Sequence, residues 1–262
     1  MVRVLTRVLV VFVLVIGARG IAWAQGDEIQ VYDGGLAAVG VFNLTVHNNF
    51  TPRGIETPAF DGAVVADKSL NGVPEWAYGV TRWFEAGLYL PLYSRDKAMG
   101  WGIDGFKLRT LFAVPDGDNR KFVYGANMEF SFNAKRWDTT RFTSEVRPIL
   151  GWHFKSADLI VNPIVDTAYD GLKNLEFVPS VRVAVTLNPK WQIAAEHYAD
   201  FGRVSNFLPR GEQSHQIFGV VDTTAGRMDV EFGVGVGLTD ASDKVTMKLI
   251  LSGDFNEGRG VQ

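Results

Sequence analysis

Phe122-Val-Tyr-Gly-Ala-Asn-Met-Glu-Phe-Ser-Phe132 sets Phe122, Tyr124, Met128, Phe130 and Phe132 on one face of an extended chain and Asn127, Glu129 and Ser131 on the other. One face suits lipid and the other suits water. The same alternation recurs along the chain and predicts strands at about 40–50, 74–82, 84–94, 104–114, 121–133, 141–154, 157–168, 175–187, 190–201, 214–224, 227–236 and 244–255. The short predicted connections fall at Trp83, Pro115–Arg120, Lys155-Ser156, Asn188-Pro189 and Ala225-Gly226; the long ones fall at 51–73, 95–103, 134–140, 169–174, 202–213 and 237–243. That rhythm predicts an all-β fold, a transmembrane antiparallel up-and-down β-barrel of about 12 strands in a bacterial outer membrane. An even strand count puts both chain ends on the periplasmic side, with the short turns.

The aromatic residues bunch at predicted strand ends. Trp83, Phe84, Trp152, Phe154, Trp191 and Phe255 fall on the periplasmic side, and Phe50, Tyr93, Trp101, Trp137, Tyr169 and Phe201 fall near the outer rim. Two such groups are expected of the girdles that barrels carry at both membrane interfaces.

Arg3 and Arg7, the apolar run Val8–Ile16 and the small-residue site Ala22-Trp23-Ala24 predict a secretory signal peptide over 1–24 that is cleaved before the barrel of 25–262. The apolar run is shorter than the roughly 20 residues a spanning helix needs. Loss of the leader removes Arg3, Arg7 and Arg19 and no acid, taking the net charge from −3 to about −6. Such a chain lacks the basic excess of a nucleic-acid binder. With no cysteine it has neither disulfides nor thiolate metal ligands, and a hydrogen-bonded sheet is left to supply stability.

The segment Asn71–Pro91 resembles the second hairpin of transporter-like barrels in the meta-pathway phenol-degradation outer-membrane family, through Tyr78, Gly79, Thr81, Glu85, Gly87 and Pro91. The chain is also similar to a group of uncharacterised proteobacterial outer-membrane barrels. The resemblance implies passage of small hydrophobic or aromatic compounds and supplies no catalytic residue. In physical terms the alternation puts Glu75, Gly79, Glu85 and Gly87 on the lumen face and Trp76, Tyr78 and Val80 toward lipid. The last strand, Lys244–Phe255, resembles the C-terminal signal that barrels present to their assembly machinery, with seven residues following Phe255 here. That machinery and outer-membrane lipid are therefore expected partners.

The polar face carries Lys107, Arg109, Glu129, Glu145, Arg147, Asp166, Glu176, Arg182, Glu196, Asp229, Glu231 and Lys248 toward the lumen. Folding the strands about their turns brings Lys107 near Glu129, and Glu129 near Glu145 and Asp166, with Arg147 one pleat away. This set is either a ladder of ion pairs filling the barrel or a polar constriction that orients a permeating solute. The loop 51–73, with Phe60, Val64, Val65 and Leu70 among polar residues, is a candidate plug or a mobile outer loop.

An enzyme is not expected. His47, His153, His197 and His215 fall on different predicted strands, and the nearest His–Ser pairs, His153 with Ser156 and Ser214 with His215, span a turn or point to opposite faces. Asp116-Gly-Asp-Asn119 lacks the later ligands of a calcium loop, Gly233-Val-Gly-Val-Gly237 precedes no helix, and Glu196-His197 on a strand cannot form a helical zinc motif. No cofactor is implied. The function expected is a passive channel or transporter for small solutes, with a plugged structural or surface-interaction barrel as the alternative and lipid hydrolysis a third.

Overall fold

A strand of period two leaves its backbone N–H and C=O groups unpaired along both edges, and only closure into a ring pairs all of them without water. The computed structural model describes residues 26–256 and forms such a ring. The expected signal peptide of 1–24 lies outside the described residues. The strands are β1 (Phe42–Arg53), β2 (Leu70–Thr81), β3 (Phe84–Asp96), β4 (Gly100–Ala113), β5 (Phe122–Asn133), β6 (Phe142–His153), β7 (Ala157–Asn162), β8 (Val165–Thr167), β9 (Glu176–Phe177), β10 (Ser180–Asn188), β11 (Trp191–Asp200), β12 (Ser214–Ala225), β13 (Met228–Gly237) and β14 (Val245–Asp254).

Successive staves pair antiparallel, and β1 closes on β14 from Asn43↔Asp254 to Arg53↔Val245. β7 and β8 together form one stave against β6, interrupted at Pro163; β9 and β10 form the next, interrupted at Pro179. Proline brings no N–H to a ladder, so each break falls where the sequence removes a donor. The ring therefore has twelve staves, as the alternation predicts.

Two connections differ from expectation. The predicted long loop 95–103 is a three-residue turn, because β3 and β4 run on to Asp96 and from Gly100, where the Asp96 carboxylate accepts the Met99 N–H at 2.6 Å and Gly100 takes a φ of 70°. The loop 51–73 shrinks to 54–69, since β1 extends to Arg53 and Leu70 opens β2.

The outward face is an apolar band bounded by aromatic clusters. At the periplasmic end Trp83, Phe84 and Phe112 stack, and Phe122 meets Trp152 at 5.3 Å between ring centroids; at the outer end Phe132 meets Phe106 and Phe142, each at 5.1 Å. Trp137, expected in the outer girdle, turns instead into the barrel mouth.

The inner face is not uniformly polar. Leu111, Val123, Ile149, Ile160, Phe218 and Val220 are inward and buried. They are covered by residues 26–41, which thread the lumen before the chain turns at the periplasmic mouth into β1. Ile29 and Val31 pack on Ile160, Tyr198, Phe218 and Val220 of one wall, while Tyr32 and Leu36 pack on Leu111 and Ile149 of the other. The alternation Glu28-Ile-Gln-Val-Tyr32 thus sorts its side chains between two walls.

Candidate functional site in the lumen

Two ion-pair networks line the lumen. In the first, Lys107 Nζ lies 2.8 Å from Asp27 and 3.2 Å from Glu129; Arg147 Nε is 2.6 Å from Glu145, with its guanidinium 3.8 Å from Glu28; and Arg109 reaches Glu75 at 2.8 Å and also bonds Glu85. His47, fully buried, sits 3.3 Å from Glu75. In the second, Lys248 Nζ is 2.5 Å from both Glu196 and Glu231, and Arg182 pairs with Glu196, Asp222 and Glu231. Gly233 makes room for this lysine, since a Cβ there would lie 2.9 Å from Lys248 Cε.

The structure brings the expected lumen residues Lys107, Arg109, Glu129, Glu145, Arg147, Arg182 and Glu196 together as buried groups, with Glu231 half-buried beside them. Asp166 lies directly across from Glu145 and Glu176, so Glu129, Glu145, Asp166 and Glu176 form one acidic row over four adjacent staves. Asp229 stands at the periplasmic mouth. Sequence reasoning missed Asp27, Glu28, Tyr32, His47, Tyr89 and Asp222. The first three sit on a stretch with no partner strand, and their only sequence signal is the alternation of 28–32.

The candidate plug loop does not fill the barrel. Val64 and Val65 donate their N–H groups to Arg136 O and the Asp96 carboxylate at 3.0 and 3.1 Å, and Ile55 N–H reaches Asp243 at 2.8 Å. The loop is thereby tied to neighbouring loops across the outer mouth, with Phe60 facing the cavity below it. Leu70, on β2, points outward, one residue from the inward Asn71. What occupies the lumen at bilayer depth is the segment 26–38.

Among the described residues, cavities open on the outer and on the periplasmic side of this segment, with a smaller periplasmic one between it and Arg82, Asp116, Val123 and His153. The outer one, about 290 Å³, is lined by Asp27, Glu129, Asp138, Glu145, Asp166, Asp170 and Glu176, against only Lys107 and Arg203 as basic groups. The larger periplasmic one, about 830 Å³, is lined by Asp33, Glu75, Glu85, Asp222, Asp229, Glu231 and Asp254, against Arg109, Arg182 and Lys190. In the outer loop 134–141, burial raises the Asp138 carboxyl above its usual range, an effect opposed by the Thr140 N–H and the Thr139 hydroxyl.

Gly79 fixes the lower end of the segment. A Cβ at Gly79 would run into the carbonyl oxygens of Ala37 and Ala38, and its N–H and C=O bond Val41 O and Gly40 N at 3.1 and 2.8 Å. Gly79→Val is expected to dislodge residues 37–41 and speed hydrogen exchange of their amides. Gly219→Val, at a position with open space, is the neutral comparison. Unchanged exchange in the Gly79 variant would show that the close approach does not hold the segment.

The histidines sit apart from serine hydroxyls in their ring contacts. His153 Nδ1 pairs with Asp158 at 2.6 Å, and the His215 ring meets His197 at 3.2 Å and Gln213 at 3.1 Å.

A closed ring of twelve staves with an outward apolar band between aromatic girdles and an inward charged lumen is an outer-membrane β-barrel. Its fold is similar to the COG4313 outer membrane channel from Pseudomonas putida F1, with a TM-score of 0.59 at 12% identity over 87% of this chain and 100% of that one. It is also similar to the NanC porin (TM-score 0.53, 9% identity, 82% of this chain and 100% of that one) and the KdgM porin (TM-score 0.52, 7% identity, 82% and 99%). No protein-family model and no curated protein sequence matches this chain.

Proposed function

We propose that the protein is a passive outer-membrane channel for small polar cations, narrowed by its own N-terminal segment. The observation that carries this reading is the acidic excess of the cavities at both ends of one lumen, seven carboxylates against two basic groups outside and seven against three on the periplasmic side. Rings of like charge set which ions enter a pore. The similarity in fold to channels and porins supports the same reading. Hydrophobic or aromatic solutes, the class implied by the hairpin resemblance, fit less well, because polar side chains make up most of both linings. Membrane lipid around the outer band and the barrel assembly machinery during biogenesis are the partners this function requires, and it involves no catalytic step.

The test is single-channel recording of the full chain in a planar bilayer under a KCl gradient. The reversal potential is expected to take the sign of cation preference. That preference is expected to shrink as pH falls, because protonation removes the vestibule charges, and Asp138, with its raised pKa, loses its charge at a higher pH than an ordinary aspartate. Anion preference, or a preference unchanged between neutral and acidic pH, would overturn the cation assignment. The second reading, a sealed structural barrel, is favoured by the dense contacts of the segment 26–41, and absence of any conductance would put it first.

A further inference from the structure

The segment 26–33 is held as a ligand is held, by side chains that grip its backbone. Asn49 Nδ2 donates to the carbonyls of Gly26 and Asp27 at 3.2 and 3.0 Å. Lys248 Nζ donates to Ile29 O at 3.2 Å and Arg147 to Gln30 O at 3.0 Å. The Asn162 amide takes Tyr32 at both ends, accepting its N–H at 2.7 Å and donating to its C=O at 2.9 Å. Strand-like bridging to the wall begins only at Val39, which pairs with Gly79.

Two side chains are matched individually, Asp27 to Lys107 at 2.8 Å and Tyr32 to the Tyr89 hydroxyl, and the others are sorted by chemistry. Ile29 and Val31 lie on the apolar wall of Ile160, Phe218 and Val220, whereas both carboxylate oxygens of Glu28 lack a hydrogen-bond partner. Hydrogen bonds to the main chain for affinity, with pockets for alternate side chains for specificity, are one established way of recognising an extended peptide.

We propose that the lumen is a binding site for an extended peptide in which polar or acidic residues alternate with apolar ones, and that residues 26–33 are its tethered occupant. The wall contacts read backbone carbonyls and the phase of the alternation, so a free peptide of the same pattern binds once the tethered copy leaves. Binding does not depend on whether the lumen conducts, and the test reads binding alone.

A protease site inserted between Gly35 and Leu36, at the periplasmic mouth, lets the full chain fold with its segment in place before cleavage. After a high-salt wash, the cut barrel is titrated with a fluorescent peptide of residues 26–33, and with one in which Glu28 is exchanged with Ile29 and Gln30 with Val31. The first is expected to bind saturably and about tenfold more tightly than the phase-shifted peptide, and Asn162→Ala, which removes both amide hydrogen bonds, is expected to weaken it about tenfold. Equal binding of the two peptides, or no binding by a barrel that has lost its fragment, would overturn the proposal. If the fragment survives the wash, its release from the Asn162→Ala barrel under the same wash supports the site, and equal retention overturns it.

Discussion

A barrel lacking residues 26–38 is expected to conduct on the order of five- to tenfold more current than the full chain, since a twelve-stave ring lies between the filled eight-stranded type and the open sixteen-stranded porin. An extended chain with its side chains occupies a layer about 10 Å thick, a large share of the width of such a lumen. The deletion also removes Asp27 and Glu28 and leaves Lys107 and Arg147 with fewer acidic partners. Cation preference should therefore weaken as conductance rises. Planar-bilayer recording of the two proteins decides the matter: equal conductance would mean that the current path does not run beside this segment. The deletion should also lower stability, because Ile149, Ile160 and Phe218, all buried now, would line a wet pore at a cost of about 25 cal/mol per Å² of apolar surface.

Lys248→Met is expected to destabilise the barrel by about 3–5 kcal/mol, the range found when one partner of a buried ion pair is removed and the other stays charged. Lys248 is fully buried between Glu196 and Glu231, bonds Ile29 O and lies 5.7 Å from the Tyr198 ring centroid. Its loss leaves two carboxylates in the lumen with Arg182 as their remaining cation. Lys244→Met, four residues earlier on the exposed rim and paired with Asp240, should change stability by less than about 0.5 kcal/mol. Urea titration of refolded protein, followed by heat-modified gel mobility, compares the two variants. A loss below about 1 kcal/mol for Lys248→Met would show that water reaches this pair more freely than its burial indicates.

The ring of staves was legible because each strand carries the lipid-and-lumen alternation within itself. Phe122–Asn133 reads the same in sequence and in structure. Lumen charges were legible for the same reason, since parity assigns Lys107, Arg109, Glu129 and Arg147 to one side. Long-range partners were not: parity cannot say that Arg182 meets Glu231, 49 residues away. The filler of the lumen was hidden for a different reason. Residues 28–32 alternate but lie beside no second strand in sequence, and the residues that demanded a filler, Leu111, Ile149, Ile160, Phe218 and Val220, are scattered over four strands. An open aqueous pore has little use for five buried apolar side chains on its inner wall, and that mismatch was the available clue. The candidate plug loop 51–73 stood out instead through its local apolar content, of which Ala63, Val64 and Ala66 are buried at the outer mouth.

Because the segment 26–41 continues directly into β1, and β1 forms the seam with β14, the grip of Asn162 on Tyr32 ties the closing strand to the opposite side of the ring. The segment acts as a spoke. Proline removes a ladder donor twice within β7–β10, so that arc of the wall is held by fewer hydrogen bonds. A spoke anchored beside Pro163, where Asn162 ends β7, joins that twice-interrupted arc to the seam through the interior as well as around the wall.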